Sequence, residues 1–179
     1  HTIELQVTEA DPATIAARQQ FINQRTVRET ELELTNPGFE AGDLSGWSKG
    51  ANASGDDGKV HEGRWAARLE IASAQNLTGS PYIVQTVPAV PGRLYRAEAM
   101  VRGEDVRPAV INNMPAAGAT IIVEFADTEG KWLAAGSYGA ANYGTFDFKR
   151  VSTEPARAPK GAGRAIIYLA LRAAGTAWF

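Results

Sequence analysis

Two observations predict an antiparallel β-sandwich or barrel for most of this 179-residue chain. Short runs alternate apolar with polar residues, the two-residue period of a strand with one face buried. Gly, Pro and Asn cut those runs at short intervals, as the turns of an all-β fold require. The pattern begins near Thr35. Hydrophobic residues make up 44% of the chain, enough for one main domain with its own core and a short appendage.

Residues 1–33 read as that appendage. Thr2 to Val7 alternates as a strand, and Asp11-Pro12 ahead of Ala13 to Asn23 supplies the N-cap and first-turn proline of a helix. At Asn36-Pro37-Gly38 the chain turns: proline presets φ for the first corner, glycine accommodates the second, and Phe39 drops inward. Glu40 then stands at a sheet edge. In Leu94 to Arg102, alternation points Tyr95, Ala97, Ala99 and Val101 inward and Arg96, Glu98, Met100 and Arg102 outward. In Thr120 to Phe125, Ile121, Val123 and Phe125 point inward, with Ile122 and Glu124 opposite. In Ala165 to Arg172, Ala165, Ile167, Leu169 and Leu171 point inward, leaving Ile166, Tyr168, Ala170 and Arg172 on the other side. If these three strands are neighbours, one face gathers carboxylates, guanidinium groups and an aromatic ring.

Composition narrows the function classes. A net charge of -2, with no Lys/Arg-rich run, gives no basic field for a nucleic-acid backbone. With no cysteine there is neither a disulfide frame nor a thiolate nucleophile. The longest apolar runs, such as Ala165 to Leu171, are too short for a membrane span. The sequence holds no nucleophile elbow, P-loop or dinucleotide fingerprint. His61-Glu62 starts like a zinc-protease helix, but the fifth position is Trp65 where a second histidine is needed. Glu98 and Glu124 together would satisfy glycoside hydrolysis on paper, since that reaction needs an acid and a base at suitable separation. Exposed beside Arg96 and Arg172, both carboxylates stay ionised, which suits hydrogen bonding better than general-acid work.

Of the four tryptophans, Trp65 shares a strand face with Ala67 and Leu69 and reads as a core residue. Trp132 differs, because it follows the polar turn Asp127 to Lys131 and stands at a hairpin end. Tyr138 and Tyr143 lie in the Gly/Ala-rich stretch Ala134 to Gly144, read as a loop that rims a cleft.

The run Leu34-Thr-Asn-Pro-Gly-Phe-Glu-Ala-Gly-Asp-Leu-Ser-Gly-Trp47 resembles the opening of bacterial carbohydrate-binding jelly rolls grouped as module families 4, 9, 16 and 22. Further fragments follow in the same order. They are Gly63-Arg64-Trp65-Ala66-Ala67-Arg68-Leu69, Tyr82 to Val87, Pro91-Gly92-Arg93-Leu94-Tyr95, Ile121 to Asp127 with Glu129-Gly130-Lys131, and Gly175-Thr176-Ala177-Trp178-Phe179. The resemblance covers residues 34–179 and implies an all-β, galactose-binding-like jelly-roll of two antiparallel sheets, with the chain stopping near the start of its final strand. It also implies that Trp47 and Trp178 are core residues, since they fall where those families have core aromatics.

In the resembling families the carboxylate matching Glu40 helps to hold a structural calcium ion. One concave sheet surface binds glycan chains, with sugar C-H patches stacked on aromatic faces and hydroxyls bonded to Arg, Glu, Gln and Asn. Carried over, that site consists of Tyr168, Arg172, Glu98, Glu124 and Arg96, with Trp132 and Tyr138 at its rim. The implied function is a non-catalytic module of a secreted or cell-surface bacterial protein. It would bind a polysaccharide or oligosaccharide and target a glycoside hydrolase or polysaccharide lyase module of the same parent chain. The alternatives are a structural or cell-surface interaction module of the same fold without a sugar site, and a small polysaccharide-active enzyme.

Overall fold

The computed structural model describes residues 31–73, 82–111, 114–115 and 117–179. The strand at Thr2 to Val7 and the helix at Ala13 to Asn23 lie outside these residues. In chain order the strands are β1 (Ser48–Lys49), β2 (Ala53–Asp56), β3 (Ala66–Ile71), β4 (Tyr82–Pro88), β5 (Leu94–Tyr95), β6 (Glu98–Arg107) and β7 (Val110–Ile111). They continue with β8 (Met114–Pro115), β9 (Gly118–Ala126), β10 (Trp132–Tyr138), β11 (Gly144–Ser152), β12 (Ala156–Arg157), β13 (Arg164–Arg172) and β14 (Ala174–Trp178).

Ten of these strands form two five-stranded sheets. The first runs β1-β4-β13-β9-β10 and the second β11-β6-β14-β3-β2, while β12–β5 and β7–β8 make two small ladders. Every ladder is antiparallel. Neighbours in space are distant in sequence: β13 lies between β4 and β9, and β14 between β6 and β3. This is the all-β sandwich that the alternation predicts, in the jelly-roll form that the resemblance implies. Ala174–Trp178, where the sequence suggests only the start of a last strand, is paired on both sides.

The core is the space between the sheets, and strand period fills it. Ala165, Ile167, Leu169 and Leu171 of β13 and Ile121, Val123 and Phe125 of β9 meet Leu69 and Ile71 of β3, Val101 and Val106 of β6, and Ala177 of β14. Each fully buried Leu, Ile or Phe stabilises the fold by about 1.5–3 kcal/mol through apolar area removed from water. The opposite rows of the same strands form the outer faces of the sheets, where Ile122, Ala126 and Ala170 are themselves buried.

The turn at Asn36 differs from the expected one in where it places its left-handed residues. Phe39 N-H donates to Asn36 C=O at 3.2 Å, closing a turn over Pro37-Gly38, but positive φ falls on Asn36 (49°) and Phe39 (61°), not on Gly38. Asn tolerates that conformation through local side-chain bonds; its Nδ2 donates to the carbonyls of Asp43 and Ser45 and its Oδ1 accepts from Ala41 N-H. For Phe39 the compensation is burial. Its ring packs 5.5 Å from that of Trp47, whose indole N-H donates to Asn36 C=O at 3.1 Å.

One polar side chain ties this turn to the first sheet. Gln85 points inward from β4, only 9% exposed, yet its polar atoms are all paired with backbone groups distant in sequence. Its Oε1 accepts from Thr35 N-H at 2.7 Å, and its Nε2 donates to the carbonyls of Thr35 and Gly46 at 2.9 Å each. Removing a partner from buried polar groups costs about 1–3 kcal/mol per stranded group. Gln85→Ala is therefore expected to lower unfolding free energy by about 2–3 kcal/mol. Gln85→Leu should fare no better, because it fills the volume and still strands three backbone groups; matched denaturant melts of the two variants measure this.

Candidate functional site

The outward rows of the first sheet carry the site. Strand register puts Val84, Tyr168, Ile122 and Tyr138 side by side across β4, β13, β9 and β10. The next row is Thr86, Ile166, Glu124 and Ala135, and the one beyond it Pro88, Arg164, Ala126 and Trp132. Glu124 thus sits among aromatic rings.

Two bulges in β10 bring the rings there. The ladder to β9 shifts between Trp132 and Ala134 and again between Ala135 and Ser137. Each bulge sets two residues of one strand against one of the other. Seven residues of β10 consequently span five of β9, so that Trp132 faces Ala126 and Tyr138 faces Ile122. Regular strands six residues apart would separate the rings by about 20 Å; the bulges reduce this to about 13 Å, with Glu124 midway. The hairpin before β10 sets the starting register. Asp127 Oδ1 accepts from the N-H groups of Glu129 and Lys131, and Gly130 takes φ 92°, a left-handed corner natural to glycine.

Both rings hold Glu124 by their polar edges. Trp132 Nε1-H donates to its Oε2 and Tyr138 O-H to its Oε1, each at 3.2 Å. A carboxylate has about four acceptor positions. These two donors leave acceptor capacity for a ligand hydroxyl. The ring faces stay open: Trp132 is 56% and Tyr138 46% exposed. Tyr82, which sequence reasoning did not place in the site, adds a fourth ring 5.2 Å from Tyr168 at 85°. Burial, then the charge and hydrogen bond of Glu124, push the hydroxyls of Tyr168 and Tyr138 above their ordinary value of 10.0; Arg172 partly opposes this at Tyr138.

Glu98 and Arg96 do not belong to this face. Glu98 opens β6 in the second sheet, paired opposite Ser152 and bridged to Arg150 at 3.3 Å, and Arg96 precedes it between β5 and β6. Alternation assigned their direction within a strand correctly, but it carries no information about which sheet the strand joins. The Glu98–Glu124 pair that glycoside hydrolysis would use is therefore split between two sheets. Two other expectations are corrected. Ala134 to Gly144 is not a loop throughout, since ladder bonds to β9 keep it in strand to Tyr138, and Tyr143 packs against the core. Trp178 is buried, but on the outer side of the second sheet, opposite Arg68 and Arg102 and 5.9 Å beneath the Arg68 guanidinium.

Glu40, the carboxylate that the resemblance assigns to calcium, is held by backbone amides. Its carboxylate accepts from Arg64 N-H at 3.0 and 3.1 Å and from Trp65 N-H at 3.3 Å, stapling one loop to another. No three His, Asp or Glu side chains cluster around it or elsewhere among the described residues. A calcium ion takes six to eight oxygens, so at Glu40 backbone carbonyls and water would have to supply the rest.

No protein-family model and no curated protein matches the sequence, but solved structures match the fold. A family 61 carbohydrate-binding module in complex with β-1,4-galactotriose superposes with a TM-score of 0.50 at 18% identity, covering 83% of this chain and 94% of that one. A family 16 carbohydrate-binding module gives 0.51 at 13% identity over 82% and 94%. The enzymatically active domain of tailspike protein 4 of bacteriophage CBA120 gives 0.52 at 16% identity over 80% of this chain, which spans only 20% of that one. The chain has the jelly-roll fold that carbohydrate-binding modules share.

Proposed function

We propose that this chain is a non-catalytic carbohydrate-binding module whose outward face of the first sheet holds a stretch of polysaccharide. The observation that carries this reading is the pair of exposed rings, Trp132 and Tyr138, fixed by their edges on Glu124 with their faces open. Sugar rings present C-H faces to such surfaces, and stacking gains most when the aromatic is already immobile. From β10 to β4 the aromatic row crosses three strand spacings, about 14 Å, room for a short run of pyranose rings. Arg172 and the remaining acceptor capacity of Glu124 supply a donor and an acceptor for hydroxyls. The bound β-1,4-galactotriose of the family 61 module is of the length such a face would take. In this reading the module belongs to a secreted or cell-surface bacterial protein and tethers a glycoside hydrolase or polysaccharide lyase module to its substrate. A spacer of the same fold has no use for exposed, hydrogen-bonded rings.

Affinity gels containing a panel of polysaccharides, β-1,4-galactan among them, test the reading. Trp132→Ala should weaken retention by about 1–3 kcal/mol, the scale of a truncated anchor residue. Its unfolding free energy should stay within about 0.5 kcal/mol of the parent, as the ring fills no core volume. Unchanged retention, or no retention of the parent on any gel, would overturn the proposal.

The two perturbed tyrosines give a second test. Because their folded pKa values lie above 10.0, the fold holds their protons more tightly than the unfolded chain does. Their stabilisation is complete below pH 10 and is lost as pH rises through the folded values. Of the five tyrosines, Tyr138 and Tyr168 should ionise late in an absorbance titration. The parent should also lose stability above pH 10 more steeply than Tyr168→Phe.

A further inference from the structure

Beside the aromatic rings, the same face holds a shallow depression of about 210 Å³ that the proposed function leaves unused. Its floor is half-buried and apolar, made by Val84 and Ile166, and Tyr82 and Tyr168 close one end. Arg164 and Gly130 close the other, and Thr86 sits along one side. Sites that engulf a whole small ligand run to about 300–1,000 Å³. This one suits a single ring of a longer chain.

Arg164 gives it chemical character. Its Nη2 donates to Thr128 C=O at 2.7 Å, which fixes the guanidinium against the β9–β10 hairpin. No carboxylate pairs with it among the described residues. Four other arginines of the sandwich, Arg68, Arg102, Arg107 and Arg150, each meet an acidic side chain. An arginine has five donors in a planar fork that matches a carboxylate. Here one is used to orient the group, which lines one end of a sugar-sized depression.

Resting on the proposed glycan face, we infer that the depression seats a uronate unit, with the sugar carboxylate on Arg164 and the ring over Val84 and Ile166. Glu124 fixes the polarity. It stands opposite Ile166 on β9, one row from Arg164, so an acidic group on the ring must lie toward the Arg164 end and away from Glu124. The preferred polymer is therefore acidic and carboxylated. With a protein net charge of -2, non-specific attraction to a polyanion does not explain such a preference.

The test compares retention on gels of polygalacturonate, alginate and hyaluronate with gels of the same polymers after chemical reduction of their carboxyl groups, and with neutral β-1,4-galactan and xylan. Reduction keeps the linkage and removes only the charge. The parent should bind one uronate polymer and lose about ten- to a hundredfold of that affinity on its reduced form. Arg164→Gln should lose a similar factor, and Arg164→Lys, which keeps the charge without the fork, should fall between them. Melting curves of both variants show whether the hairpin survives the loss of the Thr128 bond. Binding to neutral gels alone, or equal affinity for native and reduced polymers, overturns the uronate assignment and leaves the glycan face standing. Uronate binding undiminished in a folded Arg164→Gln also overturns it. Retention on none of the gels removes the glycan face, and the uronate site with it.

Discussion

Five residues of β9 face seven of β10, and the exposed face depends on that mismatch. Without the two bulges, Trp132 and Tyr138 would stand too far apart to share one carboxylate. With them, each ring reaches Glu124 diagonally, and a single acceptor orients both. A bulged edge strand also bends and twists, which hinders a second chain from pairing along it. The edge of the sheet is thus both protected and equipped by the same two insertions.

Register in β13 does comparable double duty at the centre of the sheet. Its inward row builds the core and its outward row carries Arg164, Tyr168 and Arg172. A slip of one residue would exchange the rows, exposing Ile167 and Leu169 and burying the charged ends, so core packing enforces the geometry of the site. The second sheet shows what an outer face looks like without such a role. There Arg68 lies over Trp178 and bridges to Glu70 at 2.6 Å, while Arg102 bridges to Asp147 at 2.6 Å and Glu104 at 3.1 Å. Each cation is neutralised and the aromatic is covered. Exposed ion pairs of this kind contribute little stability individually, but they leave no open ring face. On the first sheet the rings are open and two arginines, Arg164 and Arg172, meet no carboxylate among the described residues.

What was legible in the sequence follows from which interactions are local. Alternation predicted the inward rows of β6, β9 and β13, because side-chain direction is set by the backbone of the strand itself. The same reasoning grouped Glu98 with Glu124 and failed, since the choice of sheet is made by pairing between residues far apart in sequence. Trp132 stood out as an exposed ring because it follows a polar hairpin turn. Its partnership with Tyr138 did not, because a bulge leaves no composition signal in Leu133-Ala134-Ala135-Gly136. Tyr82 and Arg164 were overlooked for a related reason: each acquires its role from a neighbour on another strand. Trp178 was read as an ordinary core residue, since burial between sheets and burial beneath an arginine give the same apolar letter.

Immobility ties the aromatic face to the chemistry proposed for it. A free tryptophan or tyrosine side chain loses about 0.5–1.5 kcal/mol of rotamer freedom when a ligand fixes it. Here the indole N-H and the phenol O-H of the exposed rings are already bonded to Glu124, so much of that ordering is completed on folding. The bonds also satisfy the polar edges, leaving the unpaired faces as the surface that gains most from covering. Arg164 is treated in the same way, with one donor on Thr128 C=O and no carboxylate on the others among the described residues. In each case a protein acceptor consumes part of a side chain's bonding capacity and thereby aims what remains, and a face built like this selects for ligand shape and charge more than for bulk hydrophobicity.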